Sequence, residues 1–290
     1  MSSLVKIMGL FPPSWIHAVS HSRHRYRWLK RPIDWLGSLI HHQDGTIQRG
    51  VGKGLRFNPG PTNAEFLLGT IEQDLQRALS TLVKPGMTFY DAGANVGFVG
   101  VLASRLVGPQ GQVICIEPLP ANVKWIEHNI RLNGFSQMSV RAEALGLADM
   151  KTKFLVPPEA TRGMLASSGF AKSETIIVEE LEVTVRSIDS LRAEGAVPPP
   201  DIIKLDVEGV EVEAIRGSVE TIRTCRPILL IELHDTGKAV AEILEEIGYH
   251  PTVIESTKPL AEAFWNSHVV AVPKDRQDLI DLVTPLSLSA

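Results

Sequence analysis

The feature that most constrains this chain is a repeated alternation of short apolar runs with segments of helical periodicity, beginning near residue 88. Most of the apolar runs are continuous, as expected for parallel strands that are covered on both faces. The last two runs have no clear helix between them, which indicates an antiparallel excursion. We therefore predict an α/β fold with a mostly parallel seven-stranded sheet, an antiparallel last strand and helices on both faces. The predicted strands are 88–91, 112–117, 138–142, 201–206, 227–233, 249–254 and 268–272, and the predicted helices are 96–107, 121–132, 210–222 and 238–247.

One stretch, residues 149–191, interrupts the alternation. Residues 175–185 are rich in Val, Ile, Thr and Glu, which favours a strand. Residues 157–173 are rich in Gly, Ser, Ala and Pro, which is typical of a loop. We therefore predict an inserted β segment with a long loop rather than another helix.

We divide the chain into a basic arm with Trp and His residues (1–60), a main domain (61–275) and a short tail (276–290). Residues 1–56 hold nine Lys or Arg and two Asp, so their net charge is +7 and the remaining residues carry −11. An acidic body argues against nucleic-acid binding. Tryptophans among basic residues, as in the arm, are consistent with contact to a membrane surface, with packing on the domain or with a dimer contact.

Two cysteines, Cys115 and Cys225, lie within or beside apolar runs, and nothing in their spacing resembles a disulfide framework or a zinc site. This favours a reducing cytoplasm. No apolar run reaches the length of a membrane-spanning helix. We expect a cytoplasmic protein, with peripheral membrane contact through the arm left open, and the sequence does not indicate an oligomeric state.

The most informative segment is Asp-Ala-Gly-Ala-Asn-Val-Gly at residues 91–97, between a predicted strand and a predicted helix. Ligands of such sheets bind at the carboxyl ends of the strands. Glycines there allow close approach of a ligand and tight helix packing, and the N–H groups of the turn can receive an anion. We therefore predict cofactor contacts from Asp91, Gly93, Ala94, Asn95 and Gly97.

A second acid, Glu117, ends the next predicted strand, where it can accept hydrogen bonds from both hydroxyls of a ribose. The glycines Gly93, Gly97 and Gly100 do not have the spacing of the dinucleotide fingerprint. Asp91 would repel a pyrophosphate but attract an ammonium and a sulfonium group. These features favour S-adenosylmethionine over NAD or NADP as the cofactor, with an NAD(P)-dependent oxidoreductase as the alternative.

Four motifs together resemble the FkbM family of methyltransferases: residues 91–97, Ile-Glu-Pro-Leu-Pro (116–120), Gly-Thr-Ile-Glu (69–72) and Asp-Ile-Ile-Lys-Leu-Asp-Val-Glu-Gly-Val-Glu (201–211). The resemblance covers about residues 62–275. It implies a Rossmann-like class I methyltransferase fold and O-methylation, often of sugar hydroxyls in glycans or natural products. The sequence departs from the family mainly in 157–175, where contacts to the methyl acceptor would lie.

The resemblance also implies further cofactor contacts. Glu72 would lie near the methionine end of the cofactor, and Pro118 belongs to the second motif. Glu143 and Ala144 follow the third predicted strand, where the adenine ring lies in this fold. Glu72 and Glu143 could equally be exposed surface residues.

Methyl transfer to oxygen requires a group that positions the hydroxyl and takes its proton. The candidates are Asp206 and Glu208, which follow a predicted strand, and His234, which follows the next one. Asp206 could also contact the ammonium group of the cofactor. Each has a structural alternative: Asp206 as a helix N-cap, Glu208 as an acid in a first helical turn, and His234 as a hydrogen-bonded core residue.

The sequence therefore predicts a methyltransferase that uses S-adenosylmethionine and a small-molecule or glycan hydroxyl acceptor. An inactive cofactor-binding module is a further alternative. We predict no metal site, because Asp206, Glu232 and Asp235 have no fixed ligand spacing.

Overall fold

A computed structural model describes residues 42–62, 65–157, 163–166, 168, 177–254 and 256–288. The strands are β1 (Gly45–Thr46), β2 (Arg56–Phe57), β3 (Thr88–Ala92), β4 (Gln112–Ile116), β5 (Met138–Arg141), β6 (Ala144–Leu145), β7 (Met150–Val156), β8 (Met164–Leu165), β9 (Glu179–Arg186), β10 (Ile202–Leu205), β11 (Ile228–Glu232), β12 (Tyr249–Val253) and β13 (His268–Pro273). The helices are α1 (Glu65–Leu68), α2 (Gln73–Leu82), α3 (Phe98–Val107), α4 (Pro120–Asn133), α5 (Ile188–Ala193), α6 (Glu211–Arg216), α7 (Val219–Cys225), α8 (Gly237–Glu246) and α9 (Gln277–Val283), with 3₁₀ turns at Leu260–Glu262 and Thr284–Ser287.

The central sheet has seven strands in the order β5-β4-β3-β10-β11-β13-β12. Strands β5, β4, β3, β10 and β11 pair in parallel, and β13 runs antiparallel to both of its neighbours. The sheet is therefore the Rossmann-like class I methyltransferase sheet, and the predicted fold class is confirmed. The seven predicted strands all occur, with ends that differ by one or two residues.

The sheet has a hydrophobic core on each face. Neighbouring residues of a strand belong to different cores: Phe89 and Leu230 lie in the core beneath α2 and α3, whereas Tyr90 and Leu229 lie in the core beneath α6 and α8. This division explains why the strands are apolar at successive positions rather than at alternate ones.

The register of the parallel strands brings their carboxyl ends to one edge. Leu205 of β10 lies between Ala92 of β3 and Ile231 of β11. The residues that follow these three positions are therefore neighbours in space. The edge collects the loops after β3, β10 and β11, and the functional site lies there.

The predicted helix 210–222 is wrong in one respect, because the structure divides it into α6 and α7. The division falls at Gly217, where a Cβ atom would lie 2.1 Å from the carbonyl oxygen of Gly146, so only glycine lets this loop pass so closely. The carboxylate of Asp189 then accepts hydrogen bonds from the backbone N–H groups of Glu220 and Thr221, which begin the second helix.

The predicted β insertion forms a second sheet of four strands, in the order β6-β9-β7-β8. Strand β9 corresponds to the predicted strand 175–185, and β7 pairs with it along its whole length. Most of the predicted loop 157–173 lies outside the described residues, but β8 lies within it.

Both predicted domain boundaries need correction. Residues 45–57 were assigned to the arm, yet Ile47, Leu55 and Phe57 are buried in the main core. The tail 276–290 contains α9 and a 3₁₀ turn, and Val283 and Leu286 are buried in the same core. Both segments are short and weakly periodic, so the sequence did not predict that their apolar residues pack in the core. The arm's Trp28 and Trp35 lie outside the described residues.

Among the residues that the structure describes, no helix has the length and apolar character needed to cross a bilayer.

Asn129 attaches the N-terminal segment to α4. Its buried amide donates to the backbone oxygens of Asn58 and Val96, at 3.0 and 2.9 Å, and accepts from the N–H of Asn58 at 2.7 Å. Removing this amide leaves buried backbone groups without partners. We expect Asn129→Ala to lower the free energy of unfolding by about 3 kcal/mol.

Urea denaturation checks this prediction. Glu127→Ala is the matched control, because Glu127 is an exposed residue of the same helix, and its effect should stay within about 0.5 kcal/mol. Equal stabilities of the two variants would contradict the role given to Asn129.

Candidate functional site

A cleft of about 560 Å³ lies at the carboxyl ends of β3, β4, β5 and β10. The predicted site residues that line it are Gly93, Asn95, Glu117, Pro118, Glu143, Ala144, Asp206 and Glu208.

The loop after β3 passes very close to the loop after β10. A Cβ atom on Gly93 would lie 1.7 Å from the carbonyl oxygen of Asp206, and Gly93 has a φ of +70°. Only glycine fits both conditions. Gly93 therefore brings the two loops of the site together.

Three N–H groups of this loop, which was predicted to receive an anion, donate to groups of the protein itself. Those of Gly93 and Ala94 both donate to the backbone oxygen of Ile116, and that of Asn95 donates to Glu117 Oε2 at 2.8 Å. The side-chain oxygen Oδ1 of Asn95 is buried and has no hydrogen-bond partner in the structure. This acceptor, rather than the backbone, is suited to a ligand's donor.

Glu117 is held by its surroundings. Its Oε1 accepts from the N–H of Leu119 at 2.9 Å and from the amide of Asn122 at 3.2 Å. Burial raises the pKa of Glu117 to about 7, although the N–H groups of Leu119 and Asn95 partly offset this effect. The carboxylate thus lies fixed in the wall of the cleft.

The opposite wall combines an acid with apolar side chains. Glu143 forms a bidentate ion pair with Arg141, at 2.7 and 3.0 Å, which balances its charge. Ala144 lines the cleft next to it, together with Phe154 of β7 and Leu165 of β8. An apolar surface beside hydrogen-bonding groups is suited to a heteroaromatic ring.

Four predicted cofactor residues do not line this cleft: Glu72, Asp91, Ala94 and Gly97. Ala94 is buried in the core, and Gly97 packs against Ile126 of α4. Asp91 is fully buried and its carboxylate pairs with Lys204 instead of reaching the cleft. An acid at a strand end was predicted to face the ligand, but its side chain here points under the loop.

Glu72 lies in a neighbouring group of charges. It is half-buried, and it precedes α2 with a left-handed φ of 48°. Burial raises its pKa to about 7, against the influence of the charges of His268 and Lys204. A strained backbone and a perturbed carboxyl are common at functional sites, so Glu72 is not the exposed surface residue of the structural alternative.

Lys204 is the centre of the charge network beneath the cleft. Its ammonium lies 3.3 Å from Asp91 Oδ1 and 3.1 Å from Asp206 Oδ2, and it donates to the backbone oxygen of Gly93 at 3.1 Å. Burial by itself would lower the pKa of Lys204, but the carboxylates of Asp206 and Asp91 hold it above its usual value. Lys204 therefore remains charged in a buried position.

His234 faces carboxylates on both sides. Its Nδ1 lies 2.8 Å from Glu211 Oε1, and its Nε2 lies 3.5 Å from Glu208 Oε2 and 3.7 Å from Asp206 Oδ1. Burial opposes the charged ring, yet Glu211, Asp206 and Glu208 together raise the pKa of His234 to about 9. At neutral pH His234 is therefore an imidazolium that donates from Nδ1 to Glu211 and faces the carboxylates of Glu208 and Asp206 with Nε2.

The pKa of Asp206 moves the other way. Burial would raise it, but the charges of Lys204 and His234 bring it below its usual value. Asp206 is therefore ionised and a weak base. Glu208 lines the cleft with a quarter of its side chain exposed and a left-handed φ of 52°.

Asp206, Glu232 and His234 could in principle bind a metal ion, since one ligand atom from each lies within 4.8 Å of the others. Lys204 and the imidazolium of His234 already supply positive charge to this cluster.

Three residues of the charge network, Lys204, Glu211 and His268, were not predicted as site residues from the sequence. Glu211 is fully buried, and it also accepts from the hydroxyl of Thr236 at 2.8 Å. His268 lies opposite Glu232 on β13, with Nε2 3.6 Å from its carboxylate. The available signal for His268 was its position directly before an apolar run, and Lys204 and Glu211 both lie in the motif 201–211.

The network predicts the effect of removing Lys204. Lys204→Met leaves the buried carboxylate of Asp91 without its cation, which should lower the free energy of unfolding by about 3–5 kcal/mol. The double variant Asp91→Asn with Lys204→Met removes both charges and should recover part of this loss.

Chemical denaturation of the three proteins tests this expectation. If the double variant is as unstable as Lys204→Met, the loss comes from packing and not from the unpaired charge.

Comparison with known proteins identifies the family. The methyltransferase FkbM domain matches residues 91–251. The hexuronic acid methyltransferase AglP of Haloferax volcanii is 24% identical over 211 residues, which cover 72% of this chain and 76% of that protein. Methyltransferase 1 of Beauveria bassiana is 25% identical over 146 residues, or 44% of this chain and 56% of that protein.

Among solved structures, an FkbM methyltransferase from Methylobacillus flagellatus KT is 17% identical, with a TM-score of 0.46. The match covers 73% of this chain but only 54% of that one. The domain match overturns the alternative of an NAD(P)-dependent oxidoreductase and confirms the predicted cofactor, S-adenosylmethionine. This chain belongs to the FkbM family of S-adenosylmethionine-dependent methyltransferases.

Proposed function

We propose that this protein transfers a methyl group to a hydroxyl of a sugar, glycan or natural product. The observation that carries the proposal is the arrangement of Glu208 and His234 at the edge of the cleft, where a carboxylate faces a buried imidazolium. Such a pair can orient a hydroxyl and take its proton. The resemblance to a hexuronic acid methyltransferase supports a sugar as the acceptor.

The charge of the cleft supports S-adenosylmethionine as the ligand. Glu117 and Asp206 make its lining acidic, which suits a ligand with an ammonium and a sulfonium group. We assign the ribose hydroxyls to Glu117 and the adenine to the wall of Ala144, Phe154 and Leu165. When bound, the cofactor supplies an electrophilic methyl group.

The remaining predicted cofactor residues have distinct roles in this proposal. Asn95 offers its unpartnered Oδ1 to the ligand, and Pro118 and Glu143 border it. Asp91, Ala94 and Gly97 support the loop without contacting the ligand, because none of them lines the cleft. Glu72 remains a proposal for the methionine end, through the charge network that it shares with Lys204.

We assign proton acceptance to Glu208 rather than to His234. A histidine whose pKa is about 9 is protonated at neutral pH and cannot accept a second proton. Glu211 holds His234 by Nδ1, which directs Nε2 toward Glu208 and Asp206. His234 therefore positions Glu208 and balances the charges, and Asp206 orients the acceptor through its fixed, ionised carboxylate.

The role of Glu117 predicts how cofactor affinity depends on pH. With a pKa of about 7, Glu117 is ionised above pH 7 and becomes protonated as the pH falls. The ionised form accepts from the ribose hydroxyls, so each pH unit below 7 should weaken S-adenosylhomocysteine binding by up to about tenfold.

Calorimetric titration with S-adenosylhomocysteine between pH 5.5 and 8.5 measures this dependence. Glu117→Gln cannot ionise and should bind weakly with a flat profile. A wild-type profile as flat as that of the variant would remove Glu117 from the ribose site, and no binding at any pH would leave an inactive module.

The role of Glu208 predicts a defect in chemistry and not in cofactor binding. Glu208→Gln should lower kcat by about 10²-fold or more, since a positioned general base contributes at least this much. Its Kd for S-adenosylhomocysteine should change little, because we place the ribose and adenine contacts elsewhere.

The matched control is Glu213→Gln, an exposed acid of α6, which should keep full activity. Acceptors are screened as sugars and glycans, with methyl transfer followed by mass spectrometry. The assignment fails if Glu208→Gln stays active and the activity of the wild type rises as the pH passes 9. If Glu211→Gln shifts that rise to lower pH, His234 would be the base.

A further inference from the structure

Two large aromatic side chains are exposed on the loop between β12 and β13. Phe264 is 66% exposed and Trp265 is 55% exposed. Adjacent exposed aromatic residues are uncommon on a protein surface unless they contact a ligand or a partner. The loop therefore calls for a functional explanation.

The backbone of this loop is attached to the loop that carries His234. The N–H of Asp235 donates to the carbonyl of Trp265 at 3.0 Å, and the N–H of Leu233 donates to that of Ser267 at 2.9 Å. These two bonds lie on either side of His234. The backbone of Trp265 is therefore bonded to Asp235, the residue that follows His234.

The loop is also anchored on its other side. Leu260 is buried beneath α8, and a turn bond joins the N–H of Ser267 to the carbonyl of Phe264 at 3.1 Å. Lys258 lies over the ring of Phe264, 4.9 Å from its centroid. The aromatic pair is thus exposed on a loop that a buried side chain and hydrogen bonds hold in place.

The position of the loop relates it to the acceptor rather than to the cofactor. The proposed cofactor cleft occupies the ends of β3, β4, β5 and β10. Glu208 and His234 stand at its edge, and the aromatic loop lies beyond them, beside the end of β11.

The polar residues around the aromatic pair indicate the class of ligand. Asp235, Glu262 and Asn266 are exposed beside it. Carboxylates and amides of this kind exchange hydrogen bonds with hydroxyl groups, and the face of an indole packs on the C–H face of a pyranose ring. An anionic membrane surface, in contrast, would be repelled by the net charge of −1 that Asp235, Glu262 and Lys258 give this surface.

We propose that Trp265, supported by Phe264, forms an acceptor subsite that binds a pyranose ring of a saccharide. The inference rests on the proposed function, since it names the class of acceptor for the same site. Trp265 packs on one ring of the saccharide, and the hydroxyl to be methylated extends from it toward Glu208.

The test uses the full-length protein saturated with S-adenosylhomocysteine. Neutral, N-acetylated and uronic-acid tetrasaccharides are titrated calorimetrically against wild type, Trp265→Ala and Trp265→Phe. We expect Trp265→Ala to weaken saccharide binding on the order of tenfold, and Trp265→Phe to keep most of the affinity, because an aromatic face remains. The affinity for S-adenosylhomocysteine should not change in either variant.

Leu147→Ala is the matched control, since Leu147 is 57% exposed outside this loop. Its saccharide affinity and thermal midpoint should equal those of wild type. If wild type binds a saccharide and Trp265→Ala binds it equally well, the subsite is wrong while the proposed function stands. If wild type binds no saccharide, the sugar acceptor and the subsite both fail. Loss of binding to anionic vesicles in Trp265→Ala, with saccharide binding intact, would also overturn the subsite.

Discussion

The buried ammonium of Lys204 is the interaction on which the site depends. A charge in this position is costly unless several acceptors surround it, and here Asp91, Asp206 and the backbone oxygen of Gly93 do so. Because Gly93 follows β3 and Asp206 follows β10, one cation fixes the distance between the cofactor loop and the loop of the proton acceptor. The same cation explains why Asp91 is turned away from the cleft.

The position of Lys204 divides the carboxyl edge of the sheet into two halves that carry different kinds of residues. The ends of β3, β4 and β5 carry Asn95, Glu117 and Ala144, which form a cleft with fixed acceptors and an apolar wall. The ends of β10 and β11 carry the ionisable groups to which we assign the acceptor hydroxyl. The fully buried Glu211 orients His234 between these halves, with Nε2 directed toward Glu208 and Asp206.

Sequence patterns predicted the parts of the fold that depend on local order. Continuous apolar runs located the central strands, because these are buried on both faces, whereas the edge strand β5 has one buried residue and gave a weaker pattern. The close approach of Gly217 to the carbonyl of Gly146 was not predictable, because the two residues lie about 70 positions apart along the chain. For the site, the motifs located the loops, but the direction of Asp91 and the pairing of Glu211 with His234 depend on contacts between distant elements.

The strained backbone of Glu208 connects acceptor recognition with the chemistry. A left-handed conformation at a non-glycine residue costs about 1–3 kcal/mol and persists only where neighbours enforce it. Ser168, next to the inserted sheet, donates to the backbone oxygen of Glu208 at 2.6 Å, and the N–H of Gly209 is held by Glu211 at 2.9 Å. Ser168 thus contacts the residue that we assign as the proton acceptor. In this proposal, a change at Ser168 alters the position of the base, so the inserted segment and the catalytic rate are coupled through this contact.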